Sequence, residues 1–559
     1  MGAPRKTLWG LLGLSLAAVC ALGASCKGRS PSPGVSPEAP TTRGPIRLFY
    51  VTDLDGYLEP CGCTARPLGG IDRLAQELQR ASQGAAGTLV LAAGDLFFEH
   101  PRLEDDMVWQ EGQKATSLSG ILNGLSLAAW VPGPADYARG PQEFARLRGA
   151  LRAEALGANA GLGNAAVREV GGVRVGIVGV TDLRPTSGDA AAGAPVTQDP
   201  IAAARREVAA VRARGAQVVV VLASLPRRQA RMIAGDVPGV DFVIAARNDA
   251  PTAPPPERLG NAYLLTAASQ GRGLGVVDLF VHGGGGFTDA SEATRRAERT
   301  RLDARITDLQ RRVDAWSREP GTDANALAAQ RARLAEMQRQ REATARVAPP
   351  TTGRWFDARA VEVSADVPRA ASVQQQIARY YREVNDHNRA AFADRRAPPA
   401  APGAASFTGT ESCRECHEEA FTVWQHTRHS HAYRTLEVAS KNFNLSCVGC
   451  HVTGYRQPGG SEVVQNEGLR DVQCESCHGP GSLHIEARGP AARAATIRRT
   501  VDGNFCATQC HTPEHSDHFN YDRYLPFILG PGHGRPAGSP MPDPDASAAH
   551  LGETDATAH

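Results

Sequence analysis

The sequence predicts a multidomain chain: an α/β layered domain, a helical hairpin, and a mainly α or irregular C-terminal domain. Three observations predict it. The chain has 559 residues, several times the roughly 150 of one domain. From Ile46 to about Val281, short β-branched runs alternate with helical stretches, the pattern of layered α/β architecture. Eight of the 12 Cys lie between Cys413 and Cys510, and thirteen of the 16 His lie at or after His417. Lys plus Arg (61) nearly balance Asp plus Glu (59), which excludes a strongly basic nucleic-acid binder. Twelve Cys in such a length are too sparse for a disulfide scaffold.

The first element is an address. Arg5 and Lys6 precede an uncharged, Leu- and Ala-rich stretch from Thr7 to Ser25, which reads as a secretory signal. Gly23-Ala24-Ser25-Cys26 follows and resembles a bacterial lipobox, with its Leu one place early at Leu22. On that reading residues 1–26 are a signal peptide and Cys26 carries lipid; the alternatives are an ordinary signal peptide or a retained anchor. Residues 27–45 are Pro/Ser/Gly-rich and read as a flexible tether. The expected location is exported, periplasmic or at the outer membrane of a Gram-negative-type bacterium, with membrane attachment through lipid.

Strands are expected at Ile46–Thr52, Thr88–Ala92, Val173–Val180, Val218–Leu222, Phe242–Ala245 and Tyr263–Thr266, with helices around 70–82, 141–153, 200–213 and 227–234. Together they make a domain over 46–282. Residues 289–347 carry Leu302, Ile306, Leu309, Val313 and Trp316 at spacings of four and three, then Pro320-Gly321, then Leu327, Leu334 and Met337. This predicts an antiparallel helical hairpin, either an arm for a partner or a spacer packed on its own chain. A strand and helix extension is expected over 350–395, a Pro-rich linker over 396–406, the His/Cys-rich domain over 407–535, and a disordered tail over 536–559.

Cys413-Arg-Glu-Cys416-His417, Cys447-Val-Gly-Cys450-His451 and Cys474-Glu-Ser-Cys477-His478 are three Cys-x-x-Cys-His motifs. Two thiols at that spacing add to the two haem vinyl groups, and the adjacent His reaches the iron as proximal ligand. Zinc would ask for paired Cys-x-x-Cys motifs completing tetrahedral sites, and leaves the His after every second Cys unexplained. Cys506-Ala-Thr-Gln-Cys510-His511 has one extra residue; it is either a fourth haem site or a disulfide or free pair beside an unrelated His. The expected cofactor is haem c, four or three per chain. Seven further His (426, 429, 431, 484, 515, 518 and 533) are available as distal ligands.

Residues 407–533 resemble the cytochrome c-554 type of multihaem cytochrome. The resemblance rests on the three motifs, on Thr427-Arg-His429-Ser-His431-Ala, on Val452-Thr453-Gly454, and on Gly479-Pro480-Gly481 before His484. It implies electron shuttling between stacked haems, one iron of five coordination, and His431, His484 and then His533 as distal ligands.

Phe49-Tyr-Val-Thr-Asp53-Leu-Asp55-Gly56, followed by Leu91-Ala-Ala-Gly94-Asp95, resembles the start of a metallophosphoesterase of the 5'-nucleotidase type. That family holds two metals with Asp and His at strand ends. Here the expected His positions are occupied by Asp55, the Gly133–Asp136 region, Ser224 and Arg247-Asn-Asp249. A lone hard-metal site on Asp53, Asp55 and Asp95 is one reading; a hydrolytically inactive scaffold without a divalent metal is the favoured one. Cys61-Gly62-Cys63 lies beside it, as a redox thiol pair, a structural disulfide or two passive thiols, and resembles an exported subgroup of 5'-nucleotidase-like proteins. The expected function is electron transfer to redox partner proteins. The alternatives are a periplasmic phosphoesterase with an accessory cytochrome, or a haem or thiol oxidoreductase with its own substrate.

Overall fold

The computed structural model describes residues 44–60, 67–184, 193–247, 252–345, 350–512, 516 and 519–543. The signal segment with Cys26, the tether as far as residue 43, Cys61 and Cys63, His515 and His518, and the tail beyond Asp543 lie outside the described residues.

The N-terminal half is two sheets face to face, with helices on both outer surfaces. β1 (Ile46–Thr52), β2 (Gly87–Ala93), β3 (Leu127–Val131) and the short β4 (Glu154–Ala155) run parallel, side by side. The chain then builds a second sheet from β5 (Ala165–Val170), β6 (Val173–Thr181), β7 (Val218–Ser224), β8 (Phe242–Ala245), β9 (Glu257–Leu259) and β10 (Ala262–Leu265), in the order β5-β6-β7-β8-β10-β9. β11 (Gly273–His282), β12 (Thr288–Asp289) and β13 (Gly353–Glu362) return to the first sheet, whose order is β12-β13-β11-β1-β2-β3-β4.

Alternation along each strand explains the layers, because successive side chains point to opposite faces. Ile46, Leu48 and Tyr50 of β1 meet Val175, Ile177, Val218, Val220 and Phe242 of the second sheet. Phe49 and Val51 face outward under α1 (Ile71–Ala81), α2 (Val108–Gly124) and α3 (Gly140–Ala150). α4 (Pro200–Ala213) and α5 (Arg227–Asp236) cover the far face of the second sheet through Val208, Val211 and Ile233. Asp199 caps α4 by accepting the N–H groups of Ile201 and Ala202.

α6 (Glu292–Trp316) and α7 (Ala324–Ala345) form the expected hairpin, closed by a thin seam of Leu309, Val313, Leu334 and Met337. The expected 350–395 extension is part of the sheet domain. β13 pairs with β11 over ten residues, and α8 (Ala371–Ala391) lies on the same outer face as α2. α2 itself was not expected from the sequence. Its buried positions include Gln110, Glu111 and Ser119, which blur the apolar period: Gln110 serves a polar seam, while Glu111 pairs with Lys114 and Ser119 donates to Ala115 O. The fold class read from the sequence, a layered α/β sandwich with a hairpin and a helical, irregular C-terminal module, is the one present. Among the described residues no helix is long and apolar enough to cross a membrane.

Candidate haem centres and carboxylate cluster

The C-terminal module has a small apolar centre of Tyr433, Val448, Val452 and Val463, completed by Phe392 from the segment after α8. Around it run short helices. Those at Glu411–Arg414, Leu445–Val448, Cys474–His478 and Gly503–Gln509 hold the four cysteine motifs. Helical winding brings residues three or four apart to one face, so the extra residue between Cys506 and Cys510 does not scatter that motif. The His511 N–H donates to Cys506 O at 3.0 Å, as the His417 N–H donates to Cys413 O at 3.0 Å.

The sulfurs order the motifs in space. Cys413 hydrogen-bonds Cys474, and Cys450 hydrogen-bonds Cys510. Cys477 feels the charge of Cys506. The first and third motifs are thus adjacent, the second and fourth are adjacent, and the third and fourth join the two pairs. Cys447 lies within electrostatic reach of Tyr380 and Tyr381 of α8.

Imidazoles face each other across gaps of one size. Ring centroids are 6.3 Å apart for His417 and His484, 6.2 Å for His478 and His533, and 6.3 Å for His429 and His511. A metal between two imidazole nitrogens, at ~2.0–2.1 Å each with about 1.1 Å more to each ring centre, requires roughly 6.2–6.4 Å. The gaps fit one metal ion each. The outer nitrogens are also occupied. Nδ1 lies 2.7 Å from Arg498 O in His478, 2.9 Å from Arg493 O in His484, 2.6 Å from Ile528 O in His533, and 2.6 Å from Ala432 O in His451. A ring N–H given to a carbonyl fixes the tautomer and leaves Nε2 free as ligand. His429 is pushed down to about 4 by burial and by His511, so it is a neutral imidazole at ordinary pH, the form that ligates metal.

Of the expected distal residues, His484 lies opposite His417 and His533 opposite His478. His431 is not so placed. The ring facing His511 belongs to His429, while His431 neighbours Asp471. Both sit on one 3-10 turn, Arg428–His431. At three residues per turn, positions two apart point in different directions, so one of the two can face the site, and spacing alone does not say which. No second imidazole faces His451 among the described residues.

At the strand ends of the sheet domain, ligand atoms of Asp53, Asp55 and Asp95 come within 4.8 Å of one another. Asp53 and Asp55 sit at φ 48° and 54°, and Arg247 at 58°, backbone states that cost non-glycine residues energy and collect at functional loops. Gly94 and Gly133 make the carboxylates' positions possible: a Cβ would meet Asp53 Oδ1 at Gly94 and the Asp95 carboxylate at Gly133. Asp136, from the region expected to carry a His, joins the cluster. It accepts N–H groups from Leu96, Phe97 and Gly133 at 2.9–3.0 Å. Burial and mutual repulsion raise Asp55 and Asp95 far above the usual carboxylate range. The nearby cation is Arg247: its N–H donates to Asp53 at 2.7 Å, and its guanidinium, bonded to the carbonyls of Asp182 and Arg184 at 2.7 Å, is attracted by Asp95. Ser224 Oγ is buried without a hydrogen-bond partner. No imidazole joins these residues in the described chain, so they do not fit a two-metal centre. Three oxygen donors could share at most one hard cation, in competition with Arg247.

The two halves are joined by a polar seam. Arg395 and Arg456 both reach Asp106, at 2.7 and 2.8 Å, and Lys441 reaches Glu59 at 2.8 Å. The Pro-rich 396–406 segment lies along the module, with Gly459 N–H donating to Pro398 O and Ser406 N–H to Ser482 Oγ.

Residues 412–479 match the family described as cytochrome c554 and c-prime. The cytochrome c-554 of Nitrosomonas europaea is 34% identical over 93 residues, 14% of this chain and 40% of that protein; the chain thus spans less than half the length of this relative. The matched segment is a cytochrome c554 domain, a haem c electron-transfer component, and contains the first three motifs. Among solved structures, the 5'-nucleotidase precursor from Thermus thermophilus is similar at 15% identity and a TM-score of 0.43, over 67% of each chain. The sulfate thiohydrolase SoxB from the same species, in complex with glycerol, is similar at 15% identity and a TM-score of 0.42, over 62% of this chain and 61% of that one.

Proposed function

We propose that this chain is an exported multihaem c-type cytochrome that carries electrons between redox partner proteins, with a two-sheet domain that does not hydrolyse phosphoesters. The observation that carries it is the set of three imidazole pairs at 6.2–6.3 Å. Cys413/Cys416, Cys447/Cys450, Cys474/Cys477 and Cys506/Cys510 would each hold one haem, four in all. His417 with His484, His478 with His533, and His511 with His429 would bind iron on both sides, and His451 on one. Haem supplies reversible one-electron chemistry. The chain's residues hold the rings in one tautomer, half-bury His429, and set neighbouring attachment segments side by side. The signal-like segment before Cys26 supports export, and small residues before that Cys support a lipid anchor. A second reading, a phosphoesterase with an accessory cytochrome, draws on the Asp53–Asp55–Asp95 cluster.

One preparation tests both. Matured protein should give four haems per chain by pyridine haemochrome and negligible 5'-nucleotidase turnover with manganese, zinc or cobalt. Two haems or fewer would sink the cytochrome assignment. Turnover above about one per second, a typical enzymatic rate, and lost in Asp95→Asn, would establish the second reading.

A further inference from the structure

The attachment segment before Cys447 is gripped by the sheet domain. Asn385 of α8 accepts the Phe443 N–H at 2.9 Å and donates to Asn442 Oδ1 at 3.1 Å. Asn388 donates to Phe443 O at 2.9 Å and to Gln110 Oε1 at 3.1 Å. Gln110 of α2 accepts the Leu445 N–H at 3.0 Å and donates to Ser446 Oγ at 3.2 Å. Gln110 and Asn388 are 1% and 2% exposed. Buried amides with these partners fix one backbone position rather than permitting a sliding contact. The contacts of Cys413 with Cys474 and of Cys450 with Cys510 are made inside the module. Cys447 follows the gripped segment directly, its N–H donating to Asn444 O at 3.0 Å, and lies within electrostatic reach of Tyr380 and Tyr381 of the sheet domain.

Behind Tyr381 stands a group of charges from both halves. Its hydroxyl donates to Glu59. Lys441 Nζ lies 2.8 Å from Glu59 Oε2 and 4.1 Å from the centre of the Tyr381 ring. Arg369 lies 3.4 Å from Glu59 Oε1. The Lys441 and Glu59 side chains are 22% and 17% exposed, so solvent screens them incompletely.

We propose that the sheet domain sets the reduction potential of one haem, that carried on Cys447 and Cys450, through Glu59, Lys441 and Tyr381 at the seam. The proposal rests on the haem reading above and gives the non-hydrolytic domain a task. Reduction places one more negative charge near these groups. A carboxylate there opposes it and an ammonium favours it, and the energy reaches the iron because burial and fixed charge are levers on haem potential. Tyr381 is a positioning residue: its hydroxyl fixes the Glu59 carboxylate beside α8.

The test is potentiometric titration of the full, matured chain, with each haem followed in the visible spectrum. The component of the Cys447 haem is identified as the one missing from the titration of a Cys447→Ser, Cys450→Ser variant. Glu59→Gln should raise the potential of that component, and Lys441→Gln should lower it. Each should change the ferric-to-ferrous ratio at fixed potential about tenfold, or about 59 mV for one electron. Tyr381→Phe should move it in the Glu59→Gln direction by less. The other components should stay in place. Opposite shifts from two neutralising changes are not produced by loosened packing, which would move both variants alike. Unmoved titrations with four haems present, or equal shifts of every component in both variants, would overturn this proposal and leave the electron-transfer reading standing. A wild-type chain lacking haem at Cys447 but holding the other three would overturn this proposal alone, whereas two haems or fewer would overturn both.

Discussion

The two halves of this molecule are held together by opposite means. The sheet domain rests on apolar area: two sheets meet through Leu48, Val220, Phe242 and Phe356, and helices cover both outer faces. The haem module has a handful of apolar residues and a dense set of polar ties, many of them to backbone groups. Glu475 alone accepts N–H groups from Thr408, Gly409 and Gly481 at 2.7–3.1 Å. Such ties place loops around a space but bury little area, so the module depends on what fills that space. The first half is a finished object; the second, on the reading proposed above, is completed by its haems.

The contrast is sharpest if the cofactor is withheld. Chain made without c-type maturation should be cut by protease throughout 407–535, while a fragment ending near residue 395 survives; matured chain should resist in both halves. In the other direction, Phe356→Ala, fully buried among Phe242, Tyr263 and Phe287, should cost the sheet domain about 3–5 kcal/mol and leave the haem count unchanged. A haem-free module that stays protease-resistant would end the comparison.

A finer test separates ligands within the module. His429→Ala should convert one low-spin haem to high spin, and His431→Ala should leave every haem's spin state alone, seen in the visible bands or by electron paramagnetic resonance. The reverse outcome would restore His431 and discard the ring pairing seen here.

What was legible in the sequence follows the same division. The sheet domain announced itself through pattern: Ile46–Thr52, Phe242–Ala245 and Pro200–Ala213 fall where β-branched runs and helical spacing placed them. Its polar elements were not legible. α2 was hidden because Gln110 is buried for the sake of the seam and Glu111 is buried beside Lys114, and no local pattern reports a contact 334 residues away, as between Gln110 and Asn444. In the module, the Cys-x-x-Cys-His spacing is local and could be read directly from the sequence. Distal ligation is not local: His484 sits 67 residues from His417, its ring partner, and the choice between His429 and His431 turns on which side of one turn faces inward. The Arg247 insertion was visible as a missing His, but its hydrogen bonds to the carbonyls of Asp182 and Arg184 were not.

The smallest effect concerns the carboxylates, where the sheet domain departs from the economy of its own core. Asp95 is pushed up to about 8, by burial first and then by Asp136. A buried acid with a raised pKa holds its proton in the folded state after the unfolded chain has lost it. Between the ordinary range near 3.8 and about 8, the folded state binds more protons, so stability falls as pH rises. Below about 4 both states are protonated, and this contribution is fully present. Asn at position 95 mimics the protonated acid and keeps an oxygen for the Ala135 N–H, now 2.7 Å from Asp95 Oδ1. Asp95→Asn should therefore raise the melting temperature at pH 8 and change it little at pH 4. The gain should be on the order of 1 kcal/mol, or about 2–4 °C, well below the full shift because the proton is shared with Asp136 and Arg247 loses an attraction. Equal melting temperatures for the two proteins at pH 8, or a gain confined to acid, would mean that Asp95 is ionised beside Arg247 and that the guanidinium neutralises the cluster as a resident cation.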